Sequence, residues 1–395
     1  AFVASAFHPT ELAALVQFKL SAPPKKSYPI QHPSKDSESS DPLLLNSYAE
    51  CYSFLDKTSR SFARVIQELH QDLRHPVCIF YLVLRGLDTI EDDMTLDIDV
   101  KVPLLKSFHK TIQREGWTFD GNGPEEKDRH LLVRFDVVIK EFLALNKSHR
   151  EVITDITRRM GNGMADMLDR KIDTLADYAL YTHYVAGLVG IGLTRLFVSS
   201  GLESPSLIRT IDPSPPESPT GLANEMGLFL QKTNIMKDYL QDIKEGRLYW
   251  PREIWGLYVP KGEEVDAFAR PENLERGVAC LNHLVADALE LVPSCLEYLA
   301  LLKEKSVFQF CAIPQMMAIA TISHFYNNPA LFQRSGNKIR RGLAVKLMLA
   351  STDIESVKRT YLAYALDINR RNGQAIGSNP FDDTFLRISL ACSQV

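Results

Sequence analysis

Hydrophobic positions recur at the three- and four-residue spacing of helices along most of the chain. The pattern predicts a short amphipathic helix within residues 1–20, then helices over 43–56, 58–72, 75–94, 101–113, 126–146, 148–171, 175–200, 220–243, 271–303, 305–327 and 340–368. Strict alternation of β-branched and polar residues is missing, so no sheet is expected. These elements imply one all-α domain of roughly ten to twelve helices. Residues 1–42 read as an N-terminal helix and irregular arm, 43–370 as one helical domain, and 371–395 as a polar, frayed tail. Between helices, 201–219 carries five prolines and reads as a surface loop without regular structure, and 328–339 as a mobile loop.

One predicted helix ends unusually. The apolar run from Val77 to Leu87 holds a single arginine and gives way to Asp88, Glu91, Asp92 and Asp93. At helical spacing Tyr81, Arg85, Asp88 and Asp92 share a face that Glu91 joins, whereas Asp93 falls off it. A second stretch repeats the design: Gln231, Asn234, Asp238 and Asp242 form a polar stripe opposite Leu228, Ile235 and Tyr239. A solvated face is the ordinary reading of a lone D-x-x-x-D, but amides there are unusual, since Lys and Glu more often fill such faces. Two acidic helix ends suit Mg²⁺, a hard cation that shares its coordination with water and phosphate. Facing carboxylates about 6 Å apart would repel by roughly 3 kcal/mol at an effective dielectric of 20, which a bound cation offsets. That site chemistry favours ionisation of an allylic diphosphate.

Composition narrows the classes. A formal charge of -4 argues against a dedicated nucleic-acid binder. Six widely spaced cysteines without a C-x-x-C pair suggest buried thiols in a reducing compartment. No segment reads as a transmembrane helix, because Pro314 and Gln315 break the best run, Phe310 to Ile322, and the chain is expected to be soluble. Gly187, Gly190 and Gly192 lie in one helical stretch, each costing about 1 kcal/mol against Ala. Either close helix packing or a low cavity wall for a long apolar substrate would explain them.

Several stretches together resemble one family. They are Thr58-Ser59-Arg60-Ser61-Phe62, Tyr81 through Met94, His183-Tyr184-Val185-Ala186-Gly187, Gly227 through Ile235, Val307 through Gln315, and Lys338-Ile339-Arg340-Arg341-Gly342. The chain resembles the eukaryotic squalene synthases (farnesyl-diphosphate farnesyltransferases), most like the fungal members, over nearly its whole length. The resemblance implies an all-α, single-domain isoprenoid-synthase fold with a central cavity. It further implies condensation of two farnesyl diphosphates to presqualene diphosphate and NADPH-dependent reduction to squalene, the first committed step of sterol biosynthesis. It places Mg²⁺ on Asp88, Glu91, Asp92, Asp238 and Asp242. It makes Tyr184, Phe308 and Phe310 catalytic, the tyrosine assisting proton removal and the rings facing carbocations. Ser59, Arg60, Arg85, Asn234, Lys338 and Arg340 fall among its phosphate and cofactor contacts.

The resemblance also implies a monomer at the cytosolic face of the endoplasmic reticulum membrane, held by an anchor missing from this chain. Each residue has an alternative. Tyr184, Phe308 and Phe310 could be core, Lys338, Arg340 and Arg341 a solvated patch, and Ser59 a helix cap. Gln241 stands where the family often has Glu, and Lys237 where it often has Arg. A non-reductive dehydrosqualene- or phytoene-type synthase, and a non-catalytic helical scaffold, are the competing functions.

Overall fold

The computed structural model describes residues 8–21, 42–210, 221–372 and 383–395. Most of the arm at 21–42 and the loop beyond 210 therefore lie outside the described residues, as does the side chain of Arg60. Helices are the only regular structure among the described residues. They group into two compact units, one of residues 23–170 and 191–208, the other of 1–22, 171–190 and 209–395.

In the smaller unit the Gln71–Asp92 helix is the core, with fourteen buried residues. The helices Pro42–Thr58, Ile98–Thr111, Phe135–Ala144 and Lys147–Met167 pack on it. Two glycines set the spacing. A Cβ on Gly86 would meet the Phe135 ring at 2.6 Å, and one on Gly161 the Leu105 carbonyl at 2.3 Å. The expected 126–146 helix is two, Arg129–Val133 and Phe135–Ala144, broken at Arg134. Buried polar groups are satisfied locally: Ser47 donates to Glu141 (2.5 Å), whose other oxygen meets His75 at 3.0 Å.

The larger unit is built around the Leu222–Lys237 helix, which packs on Leu274–Leu289, Val292–Leu301 and Lys305–Phe325. Pro314 does not break the last of these, which runs unbroken through Phe325. By length and composition it is apolar enough to cross a membrane, contrary to the sequence expectation, but 78% of its apolar window is buried, as in a core helix.

The structure departs from three further expectations. Residues 328–339 are anchored rather than mobile: Phe332 is 1% exposed against Tyr239 and Trp250, and Asn337 donates to two backbone carbonyls. The tail is not frayed throughout, because the Asp383–Ser393 helix buries Ile388, Ala391 and Cys392. In the smaller unit, Pro205 opens a 3-10 turn through Thr210 where no regular structure was expected, proline being tolerated at a first helical position. All six cysteines are buried free thiols, as their apolar settings predicted.

Candidate active site

The first acidic helix end lies in the smaller unit. The helix continues through Asp88, Glu91 and Asp92, so the predicted shared face is real, and Arg85 lies one turn before. Arg85 donates to the Tyr81 hydroxyl (3.2 Å), and it pairs with Asp88 at 3.8 Å and with Asp128 at 3.9 Å. Burial raises the Asp88 carboxyl to about 7, with Asp92 and Asp128 adding to the rise and Arg85 opposing it. Burial by itself would lower the Arg85 pKa, yet Asp88, Tyr81 and Asp128 hold it above its ordinary value.

Asp93 turns away from this group. It is 3% exposed and accepts from Thr95 N (2.8 Å), Thr95 Oγ1 (2.6 Å), Asn122 Nδ2 (2.8 Å) and Gly123 N (2.9 Å). Burial pushes its carboxyl up, but these four hydrogen bonds prevail and hold it below the usual range. Its role is structural: it fastens the following loop to the helix end. The buried Lys101 completes that end by donating to the Glu91 carbonyl at 2.8 Å.

Asp128 was missed in the sequence, where it sits in an ordinary charged run before the Arg129–Val133 helix. Its side chain is only 7% exposed beside Arg85. Glu126 is nearby, its carboxyl raised by burial and by Asp93, Asp92 and Asp128.

The second end lies in the larger unit and is built differently. The predicted single helix stops at Lys237, Asp238 leaves helical geometry (φ −95°, ψ 6°), and a short helix Tyr239–Lys244 follows. Tyr239 fixes that break from below, donating to the Val265 carbonyl at 2.7 Å. Asn234 is exposed and accepts from Lys237 Nζ (2.7 Å), which also pairs with Asp238 at 3.2 Å. Asp242 is 9% exposed; burial raises its carboxyl to about 7, Arg247 opposes that rise, and Asp238 and Glu245 add to it. Arg247, also missed, pairs with Asp242 at 3.4 Å and with Glu245. Gln241 donates to Glu245 on the exposed surface at 2.9 Å.

Tyr184 sits in a five-residue π-helical turn, His183–Gly187, inside what periodicity predicted as one helix. Such turns are rare and concentrate at functional sites. His183 Nδ1 lies 2.6 Å from Asn224 Oδ1, and a Cβ on Gly187 would stand 1.9 Å from that oxygen. One on Gly190 would be 2.2 Å from the Ala223 carbonyl, and one on Gly192 2.6 Å from Phe80. These glycines therefore serve close packing, and the cavity-wall alternative is dropped. Tyr184 itself is half-buried, its ring 5.6 Å from that of His183.

Phe308 and Phe310 are buried, at 7% and 5% exposure, on the Lys305–Phe325 helix. Two residues apart, they occupy different faces and do not present one surface. Ser59 caps the Arg60–Gln67 helix by accepting from the Phe62 amide at 3.3 Å. Lys338 is exposed, and Arg340 is bound by Glu11 at 2.7 Å. Among the described residues no three His, Cys, Asp or Glu side chains converge as a ready-made metal centre.

The all-helical architecture of the described residues is that of the isoprenoid synthases. The squalene/phytoene synthase family model matches residues 55–342, and the chain belongs to that family. It is 47% identical over 352 residues to the squalene synthase of Schizosaccharomyces pombe, covering 87% of this chain and 72% of that protein. It is 45% identical over 370 residues to the squalene synthase of Homo sapiens, covering 94% and 83% respectively. The solved structure of TcSQS with a bound ligand superposes with a TM-score of 0.81 at 42% identity, covering 88% of this chain and 97% of that one. A dehydrosqualene synthase structure, at 20% identity and a TM-score of 0.52, shares the fold alone. At these identities the chain has squalene synthase function, as a prenyltransferase of isoprenoid and sterol biosynthesis.

Proposed function

We propose that the chain condenses two farnesyl diphosphates to presqualene diphosphate and reduces that product to squalene with NADPH, using Mg²⁺ bound at both acidic helix ends. The observation that carries this reading is the clustering of carboxylates at each helix end, Asp88, Glu91 and Asp92 on one helical face and Asp242 buried close to Asp238, with burial raising the Asp88 and Asp242 carboxyls to about 7. Carboxyls held that high fit a site completed by cations, and hard oxygen donors select Mg²⁺. Asp88, Glu91, Asp92, Asp238 and Asp242 would hold the metal, which when bound supplies Lewis-acid stabilisation of the departing diphosphate. Arg85, tethered to Tyr81 and Asp88, presents a fixed cation to phosphate oxygens. Asn234 lies beside Lys237, where an amide and an ammonium can both meet phosphate.

Tyr184 holds its hydroxyl on the π-turn, where it would assist removal of the proton lost on cyclopropane formation, and Phe308 is the ring assigned to the cationic intermediate. NADPH supplies the hydride of the second half-reaction, and Lys338, Arg340 and Arg341, three cations in four residues, suit its phosphates. Ser59 and Arg60 belong to the same contact set. On this reading the protein acts as a monomer at the cytosolic face of the endoplasmic reticulum membrane. Residues 43–370 form its catalytic domain.

The test incubates the chain with farnesyl diphosphate and Mg²⁺, with and without NADPH. Squalene with NADPH and presqualene diphosphate without it are expected; dehydrosqualene at saturating NADPH would refute the reductive step. In Tyr184→Phe, presqualene diphosphate formation should fail while farnesyl diphosphate still binds.

A further inference from the structure

The smaller unit also holds a surface cavity of about 410 Å³, lined by none of the residues of either acidic helix end. Its apolar lining is Phe142 and Leu143, from the end of the Phe135–Ala144 helix. Its charged lining is one face of the Lys147–Met167 helix, where Lys147, Arg150, Glu151, Asp155 and Arg158 recur at three- and four-residue spacing. Three cations thus line it against two carboxylates, and both carboxylates are taken. Glu151 lies 3.7 Å from Lys147. Asp155 accepts from Arg158 and from Arg195, each at 2.9 Å, and lies 4.0 Å from Arg159. Arg150 is left over. Among the described residues its guanidinium has no ion-pair partner, and its buried Nε has no hydrogen-bond acceptor.

An arginine extended into bulk water would need no partner. Arg150 is only partly exposed and its Nε is shut off from solvent, so its head lies in the cavity lining. A buried donor without an acceptor is unfavourable. Water can accept from Nε, but only an anion also offsets the surplus charge. The planar fork of Arg150 matches phosphate oxygens. The cavity falls within the roughly 300–1,000 Å³ of small-ligand sites, so it has room for more than phosphate alone. We propose that this cavity is a separate anion site for a phosphate monoester with a small apolar body, the phosphate on the Arg150 fork and the body against Leu143 and Phe142. The proposal is independent of how the acidic helix ends are read.

The experiment titrates hexyl phosphate, inorganic phosphate and hexanol into the full chain by calorimetry in magnesium-free buffer, for the parent, Arg150→Gln and Arg150→Lys. Hexyl phosphate should bind tightest, inorganic phosphate more weakly, and hexanol not at all. Arg150→Gln should weaken hexyl phosphate binding about tenfold or more, as expected for losing a hydrogen bond to a charged group. Arg150→Lys keeps the charge without the fork and should fall between. Hydrogen exchange over residues 147–158 should slow when hexyl phosphate meets the parent, and stay unchanged in Arg150→Gln. Flotation on phosphatidylcholine vesicles containing phosphatidic acid separates the two sources of such a phosphate. Retention of the parent and release of Arg150→Gln would assign it to a lipid, and no retention of either to a soluble ligand.

Equal binding of hexyl phosphate by the parent and Arg150→Gln would overturn the site. So would slowed exchange elsewhere in the chain with none over 147–158. Hexanol binding as tightly as hexyl phosphate would make the cavity an apolar groove, and overturn the proposal. Inorganic phosphate binding as tightly as hexyl phosphate would remove the apolar body and overturn the ligand class.

Discussion

The two acidic helix ends reach the same electrostatic state by different backbone routes. At the first, a continuous helix lines up Asp88, Glu91 and Asp92, and Arg85 is part of the same helix. At the second, the helix breaks at Asp238, and the balancing cation, Arg247, comes from the turn after the short helix. Yet Asp88 and Asp242 both sit near 7, each raised first by burial and then by neighbouring acids. Desolvation sets the shift, and the backbone only decides which residues deliver it.

The largest test of that equivalence is activity. Asp88→Asn and Asp242→Asn should each lower turnover about 10²- to 10³-fold, the usual loss when one electrostatic contact to a developing charge is removed. A product assay in which only one of them lost activity would break the symmetry.

Stability should separate Asp93 from its neighbours. Asp93→Asn keeps one acceptor oxygen but turns the other into an NH2 donor facing two donors, so two of the four hydrogen bonds are lost, and the change should cost about 1–3 kcal/mol in urea unfolding. The pH signs are opposite. The folded pKa of Asp93 is lowered, so its contribution is present above the unperturbed carboxylate value of about 3.9 and fades as pH falls below it. The folded values of Asp88 and Asp242 are raised to about 7, so in metal-free protein their contribution is full below about 4 and lost as pH rises through 7.

Mg²⁺ bound at these carboxyls, as proposed, would reverse that second trend, because ligands must lose their protons to bind. Its affinity should rise about tenfold per pH unit per titrating carboxyl below 7 and level off above, as followed by calorimetry. A flat profile would mean that neither raised carboxyl is a ligand. The smallest effect belongs to Gln241→Ala: its partner Glu245 is on the surface, so activity and the urea midpoint should stay within error. A clear loss of Mg²⁺ affinity there would bring Gln241 back into the second end.

Much of this was legible in periodicity. The helix expected over 75–94 and found at Gln71–Asp92, its shared acidic face and the exclusion of Asp93 from that face follow from spacing. Breaks of one residue were not legible. The 220–243 and 175–200 patterns read through Asp238 and the His183–Gly187 turn, because hydrophobic spacing tolerates a local change of helix type that packing imposes. The glycines left two explanations open until Asn224 and the Ala223 carbonyl proved to be the atoms they make room for. Asp128, Arg247 and Glu11 carried no signal, since each looks like a surface charge until its distant or out-of-helix partner is known.

The sequence by itself determined the helices, the family and the chemical kind of each acidic end, because these depend on residue type and on spacing within one turn or two. Only the tertiary structure decided which carboxyl is held near 7, which is fastened below its usual range, and which arginine is already held by a glutamate. Those outcomes depend on burial and on partners brought in from elsewhere in the chain, and neither is encoded within a helical turn.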